Sequence, residues 1–299
     1  MSVNAKYKDS VFSLLFNNAE TLRELYGALE GIKLPHDIEI NINTLKNVLF
    51  KGKLNDVSFV FGTQLVIIME HQSTINPNMP LRILIYISKI YEKLTASKNV
   101  YGSKKLTVPR PEFIVLYNGK DAYPDEQTLK LSDLFADVAS LGISREQMLE
   151  LEVKVYNINV GHNEDKLKQC RTLEDYSIFI AKAREYEAKA AAGRKITELT
   201  VDEREKAMTQ AIQWCINHNT LEEFLKANSS EVINMLLEEW NLDTALKVER
   251  EEGREEGKEE GREEERQNTL FVQHLYEEAQ QQYEESQREI ERLRAQLGR

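Results

Sequence analysis

The sequence predicts an α/β fold: a mixed sheet flanked by helices, followed by a helical region and a charged C-terminal helix or coiled coil. Two observations carry this reading. Over the first half of the chain, short apolar runs of strand length alternate with segments of helical periodicity, in the order helix, strands, helix, strand. From residue 163 onward the strand pattern stops and apolar residues recur almost only at helical spacing.

Residues 7–30 read as one helix, with Val11, Leu14, Leu15, Leu22, Leu25, Tyr26 and Leu29 at helical spacing and Gly31 as its stop. Pro35 opens a loop. Strands are predicted at 38–42, 54–61 and 64–70, and Gly62-Thr63 between the last two predicts a tight hairpin. Apolar positions nearly surround a helix over 79–98, the pattern of a buried core helix. Gly102, Pro109 and Pro111 make 99–111 a loop. FIVLY at 113–117 is a strand closed by Asn118-Gly119, and LELEVKVYNIN at 149–159 alternates as another. These signals divide the chain into a sheet domain at 1–162 and a helical domain at 163–247, the latter with Trp214 and Trp240 as packing anchors. A glycine- and charge-rich linker or exposed helix follows at 248–266, then a weak heptad helix at 267–299. In the linker, Gly253, Gly257 and Gly261 recur every four residues, and each costs a helix about 1 kcal/mol relative to Ala. In the last segment Ile290, Leu293 and Leu297 end a 3,4-spaced seam that suits either weak self-association or a solvated helix.

The 299 residues carry 39 basic and 50 acidic side chains, a net charge of −11, which argues against bulk coating of nucleic acid or an anionic membrane. That charge is unevenly placed. Residues 249–299 hold sixteen acids and nine bases, so they contribute −7 of it. Residues 82–110 hold seven bases (Arg82, Lys89, Lys93, Lys98, Lys104, Lys105, Arg110) against Glu92 alone, a local +6 that reads either as a solvated face or as a phosphate-binding surface. Cys170 and Cys215 are too few for a disulfide framework or a zinc site, and a reducing cytoplasm is the expected compartment. Runs such as LVIIM and ILIYI fall far below the ~18 apolar residues that suggest a membrane span, and no signal-peptide core is visible.

One constellation points to chemistry. Asp56 lies in one strand candidate, Glu70 at the end of the next, and Gln72 two residues on, sharing a face with Glu70. If the hairpin forms, Asp56 falls opposite residues 69–71, and two carboxylates converge. Such a pair is costly to bury unless something neutralises it, and hard oxygen ligands suit Mg²⁺ or Mn²⁺. Equally, two acids at a sheet rim can be simply that. Arg82 and Tyr86, one helical turn apart, continue along a face to Lys89 and Lys93 and could hold phosphates. The His71 side chain is expected on the opposite face from Glu70, in a structural role.

The stretch NDVSFVF…LVIIMEHQSTINPNMPLRILIYISKIYEKL resembles the Rpn family of recombination-promoting nucleases, also labelled putative transposases, within the PD-(D/E)XK nuclease superfamily. The likeness extends to YKDSVFSLLF, VPRPEFIVLYNG, LKLSDLF, VYNINVGHN, LKQCRTLEDYSIF and EGREEGKEEG, spanning nearly residues 6–265. The resemblance implies a Mg²⁺-dependent endodeoxyribonuclease of low sequence specificity, in recombination or mobile-element biology. It makes Asp56 and Glu70 metal ligands, adds the main-chain carbonyl of His71 as a further ligand and puts Gln72 at the position of the superfamily lysine. Asp9 is an additional candidate, or a helix N-terminal acid. Arg82, Tyr86, Lys89, Lys93, Lys104 and Lys105 become the nucleic-acid contacts. Gln72 is neutral and can neither act as a base nor supply charge, though it can orient water. A weakened nuclease fold that binds DNA or a protein partner is the alternative. DNA is the expected partner, RNA remains open, and the C-terminal helices are the expected site of any homo-oligomer.

Overall fold

A computed structural model of the chain describes residues 10–42, 56–142 and 147–238, together with Lys258, Arg262, Glu265 and Arg266. Contacts divide the chain into two compact units, Met1–Asp243 and Thr244–Arg299. In the second unit the four described residues are helical and exposed. The heptad seam, Trp240 and Asp9 lie outside the described residues.

The first unit opens with two helices, α1 (Val11–Leu15) and α2 (Ala19–Glu30), where the periodicity predicts one. The chain breaks at Asn18, whose side chain accepts a hydrogen bond from the Thr21 amide at 2.9 Å and starts α2 afresh. Gly31, at φ 66°, closes it. Then come β1 (Ile40–Asn41), β2 (Asp56–Phe61), β3 (Leu65–Gln72), α3 (Met79–Thr95), β4 (Arg110–Tyr117), β5 (Glu126–Lys130) and β6 (Glu152–Asn157). The helices α4 (Glu164–Leu167), α5 (Arg171–Ala191) and α6 (Val201–Asn217) follow, and α7 runs over 222–238. The sheet order is β1-β2-β3-β4-β6-β5. β1, β2 and β3 pair antiparallel, β3, β4 and β6 parallel, and β5 returns antiparallel on β6. This is the mixed α/β sheet flanked by helices that the sequence predicts.

The β2–β3 hairpin turns at Gly62, whose φ of 57° suits a residue without Cβ. With Phe61 opposite Leu65, the ladder then runs without slip to Asp56 opposite Glu70. β3 to β4 is a crossover through α3, so α3 runs back along the sheet. Side chains of β3 alternate between two cores. Ile67 and Met69 pack with Phe12, Phe16, Tyr176 and Phe179 from α1 and α5; Val66 and Ile68 pack with Met79, Ile83 and Ile87 of α3. Each such fully buried side chain contributes on the order of 1.5–3 kcal/mol. The first core continues into Met208, Ile212 and Leu225 of α6 and α7, so the change of pattern near residue 162 marks where the sheet ends while the packing runs on.

Three local differences from the sequence reading have simple causes. β5, with the weakly alternating EQTLK and mostly exposed side chains, gives almost no apolar signal. α3 is buried on one face only: Leu81 and Ile85 stand 47% and 44% exposed, so its apolar periphery is not that of a core helix. Trp214 only partly buries, stacking on His218 at 3.9 Å while the Lys182 ammonium lies 4.3 Å from its ring. Among the described residues no helix is long and apolar enough to cross a membrane.

Candidate active site

The end of β3 carries the candidate site. Glu70 is 1% exposed, although it is a carboxylate at the last pair of the β2–β3 ladder. Its burial is compensated from two directions. Arg82, in the first turn of α3, brings Nη2 to 3.1 Å and 3.3 Å from the two carboxylate oxygens. Gln72, two residues along the same strand face, donates from Nε2 to Glu70 Oε2 at 2.9 Å. A charge-assisted bond of this kind is stronger than a neutral one and offsets part of the desolvation cost. Arg82 also donates to the Tyr86 hydroxyl at 3.1 Å, with its guanidinium 5.8 Å from that ring. Met79 Sδ lies beside both, 2.8 Å from Gln72 Nε2 and 3.3 Å from Arg82 Nη1. Asp56 stands directly across from Glu70 in the register.

The structure therefore brings together Glu70, Gln72, Arg82 and Tyr86, and aligns Asp56 with them along the backbone. Lys89 and Lys93 lie farther along α3, on the same stripe as Arg82 and Tyr86. Lys104 and Lys105 lie elsewhere. They sit in the exposed loop that joins α3 to β4, and that loop is at the opposite end of the sheet from Glu70. Tyr91 fixes it there by donating from its hydroxyl to the Pro109 carbonyl at 2.7 Å.

His71, one step from Glu70, faces the other core. It is 2% exposed, stacked on Phe12 at 4.9 Å with an interplanar angle of 9°, and its Nε2 is 3.1 Å from the Tyr176 hydroxyl. Burial first, then the Arg184 guanidinium, lower its pKa to about 3, with the Asn118 amide opposing. This imidazole is neutral at ordinary pH and shut away from the Glu70 face. Both thiols are buried too: burial pushes Cys170 up to about 11 and Cys215 up to about 12, which removes them as nucleophiles at neutral pH.

Sequence reasoning missed a second polar shell behind the strand ends. Arg184 of α5 donates to the Asn159 side chain at 2.9 Å and to the Asn118 carbonyl. The Asn118 amide in turn donates to the Gln72 carbonyl at 2.9 Å, while Asn159 Nδ2 reaches Asn157 Oδ1 at 2.8 Å and the Gly119 carbonyl at 3.2 Å. Asn118 and Asn157 are 3% and 1% exposed, so these bonds satisfy groups that water does not reach. Gly119 allows the close approach: a Cβ there would sit 2.2 Å from the Ser73 carbonyl oxygen. The segments YNG and VYNIN carry these residues, and in the sequence they signal only strand ends.

The mixed sheet, its hairpin and its crossover helix make an α/β fold flanked by helices, consistent with a nuclease-like fold. The family described as "Putative transposase, YhgA-like" matches residues 38–211, more than half of the chain, and the protein belongs to that family. The match runs from β1 into α6 and so takes in both the Glu70 face and the Arg184 clamp. No curated protein and no solved structure matches the chain.

Proposed function

We propose that the protein is a metal-dependent endonuclease that hydrolyses phosphodiester bonds in DNA with low sequence specificity, in recombination or mobile-element processes. One observation carries this reading: a nearly fully buried carboxylate, Glu70, sits near the end of β3 in register with Asp56 and within reach of an arginine that is 32% exposed. The donor set suits a hard divalent cation such as Mg²⁺ or Mn²⁺, because carboxylate and carbonyl oxygens are its preferred ligands. Asp56, Glu70 and the main-chain carbonyl of His71 would hold it. When bound, such an ion polarises a phosphate oxygen and lowers the pKa of a coordinated water.

The chain's own residues supply the rest. Gln72 fixes the Glu70 carboxylate through one amide N–H, and the Asn118 amide fixes the Gln72 carbonyl, so the strand end is held from both sides. Arg82 presents a planar, permanently charged group that can pass from Glu70 to a phosphate. The family description supports a DNA-directed role.

Nicking of a supercoiled plasmid in Mg²⁺ tests this. Wild-type protein should nick, and Asp56→Ala and Glu70→Ala should fall to background. Nicking that survives both substitutions overturns the assignment. A second reading has one observation behind it: Arg82 and Gln72 already neutralise and hydrogen-bond Glu70. On that reading the fold binds DNA or a protein without cutting, and DNA binding without nicking in Mg²⁺ or Mn²⁺ establishes it.

A further inference from the structure

The loop between α3 and β4 displays an aromatic ring to solvent. Tyr101 at its tip is 98% exposed and Val100 beside it 53% exposed. The turn that displays them is ordered by its own bonds. The Lys98 amide donates to the Thr95 carbonyl at 2.8 Å, the Tyr101 amide to Asn99 Oδ1 at 3.1 Å, and the Gly102 amide to the Asn99 carbonyl at 3.2 Å. The ring is thereby held outward on a short bonded turn. Around it, residues 98–105 carry Lys98, Lys104 and Lys105 and no acid, in a chain whose net charge is −11. All three lysines are exposed. An exposed aromatic ring framed by lysines is the composition of a surface that stacks on a nucleobase and grips the neighbouring phosphates.

Its position fits a single ligand shared with the candidate active site. Arg82 contacts Glu70 at the start of α3, and the loop leaves α3 after Thr95. Those thirteen residues span about 20 Å at about 1.5 Å per residue. That distance equals about six base steps at about 3.4 Å each. Tyr86, Lys89 and Lys93 follow Arg82 at helical spacing along the stripe between the two ends.

We infer that Tyr101, with Lys98, Lys104 and Lys105, forms a second DNA-contact site that stacks on an unpaired base at the far end of α3 from the scissile phosphate. The preferred substrate is then DNA that is duplex at the Glu70 end and single-stranded at the loop end, such as a tailed or gapped duplex. This rests on the nuclease reading of the Glu70 face for the position of the cut, and on the loop alone for the stacking.

The test is fluorescence anisotropy of the full-length protein, without divalent metal, on two labelled DNAs: a blunt 30-base-pair duplex and the same duplex with a ten-nucleotide single-stranded tail. Wild type should bind the tailed DNA more tightly. Tyr101→Ala should lose about 5- to 150-fold on the tailed DNA, the range for one stacked base, and little on the blunt one. Tyr101→Trp should keep the preference. Lys104→Gln with Lys105→Gln should make the salt dependence of log K on the duplex-plus-tail shallower by about 1.5. Equal binding of the two DNAs by wild type, no binding to either, or a tail preference untouched by Tyr101→Ala overturns the inference. The exposed ring makes a folding defect in Tyr101→Ala unexpected, and an unchanged circular dichroism melt verifies this. Failure of the two readings separates cleanly: nicking by wild type with a silent Tyr101→Ala removes this site and leaves the nuclease, whereas tail-dependent binding without nicking removes the nuclease and leaves this site.

Discussion

Glu70 and His71 are neighbours in sequence and sit on opposite faces of one strand, and the two faces handle an ionisable group in opposite ways. On the α3 face Glu70 is matched by a cation from the crossover helix and an amide from its own strand. On the α1–α5 face His71 lies between Phe12 and Tyr176 with no described carboxylate partner, and burial keeps it neutral. The strand twists both residues into dry surroundings. What differs is the helix laid against each face, so the packing partner, more than burial itself, decides which face can hold charge. A charged face at a strand end is suited to an anionic ligand and its counter-ion. A neutral, aromatic face is suited to holding the strand still.

The largest expected effect comes from removing the charge match. Arg82→Leu leaves the buried Glu70 carboxylate without its guanidinium, and loss of one partner of a buried pair costs about 3–5 kcal/mol. Because the Arg82 side chain is about a third exposed, the lower end of that range is expected, about 3 kcal/mol in urea denaturation. The double change Glu70→Leu with Arg82→Leu should recover most of the stability while abolishing any nicking. A single change as damaging as the double one would show that Arg82 stabilises by packing on Tyr86 and Met79 and that the two faces do not differ in the way argued.

The opposite face gives a pH signature. The folded pKa of His71 is about 3, against about 6.5 for an unstrained imidazole. Between those values the unfolded chain takes up a proton that the folded chain refuses. Stability therefore rises with pH across this window, is complete above about 6.5, and is lost as pH falls from about 6.5 towards 3. The slope from this one group approaches about 1.4 kcal/mol per pH unit in the middle of the window. His71→Phe, which preserves an aromatic ring on Phe12, should flatten the pH 4–6 stability profile by that amount. An unchanged slope would place the acid sensitivity elsewhere.

The contrast also explains what the sequence disclosed. The opposition of Asp56 and Glu70 was readable to within a residue, since a tight turn at Gly62-Thr63 leaves little freedom of register once both strands alternate. The two faces of β3 followed from the same alternation. Arg82 was legible as a cation needing a partner in an apolar helix, and Glu70 is that partner. The Arg184 clamp was not legible, because its contact with Asn118 spans sixty-six residues and no local pattern marks it. The separation of Lys104 and Lys105 from Glu70 was missed for a different reason. Charge counting along the chain ignores that a crossover helix carries its C-terminal loop to the far end of the sheet.

The smallest effect is the most direct probe of the neutral face. Tyr176 is 1% exposed, and its hydroxyl meets His71 Nε2 at 3.1 Å. A neutral imidazole has one donor and one acceptor nitrogen, so the Tyr176 hydroxyl donates to Nε2 if the proton sits on Nδ1. Tyr176→Phe removes this bond with little change in volume, leaves a buried acceptor unsatisfied, and should cost about 1 kcal/mol. The sign of its pH dependence separates two roles. A hydroxyl that donates stabilises the neutral ring, so its loss should raise the folded-state His71 pKa followed by NMR titration. A fall in that pKa would mean that the hydroxyl accepts from the imidazole and that the proton sits on Nε2.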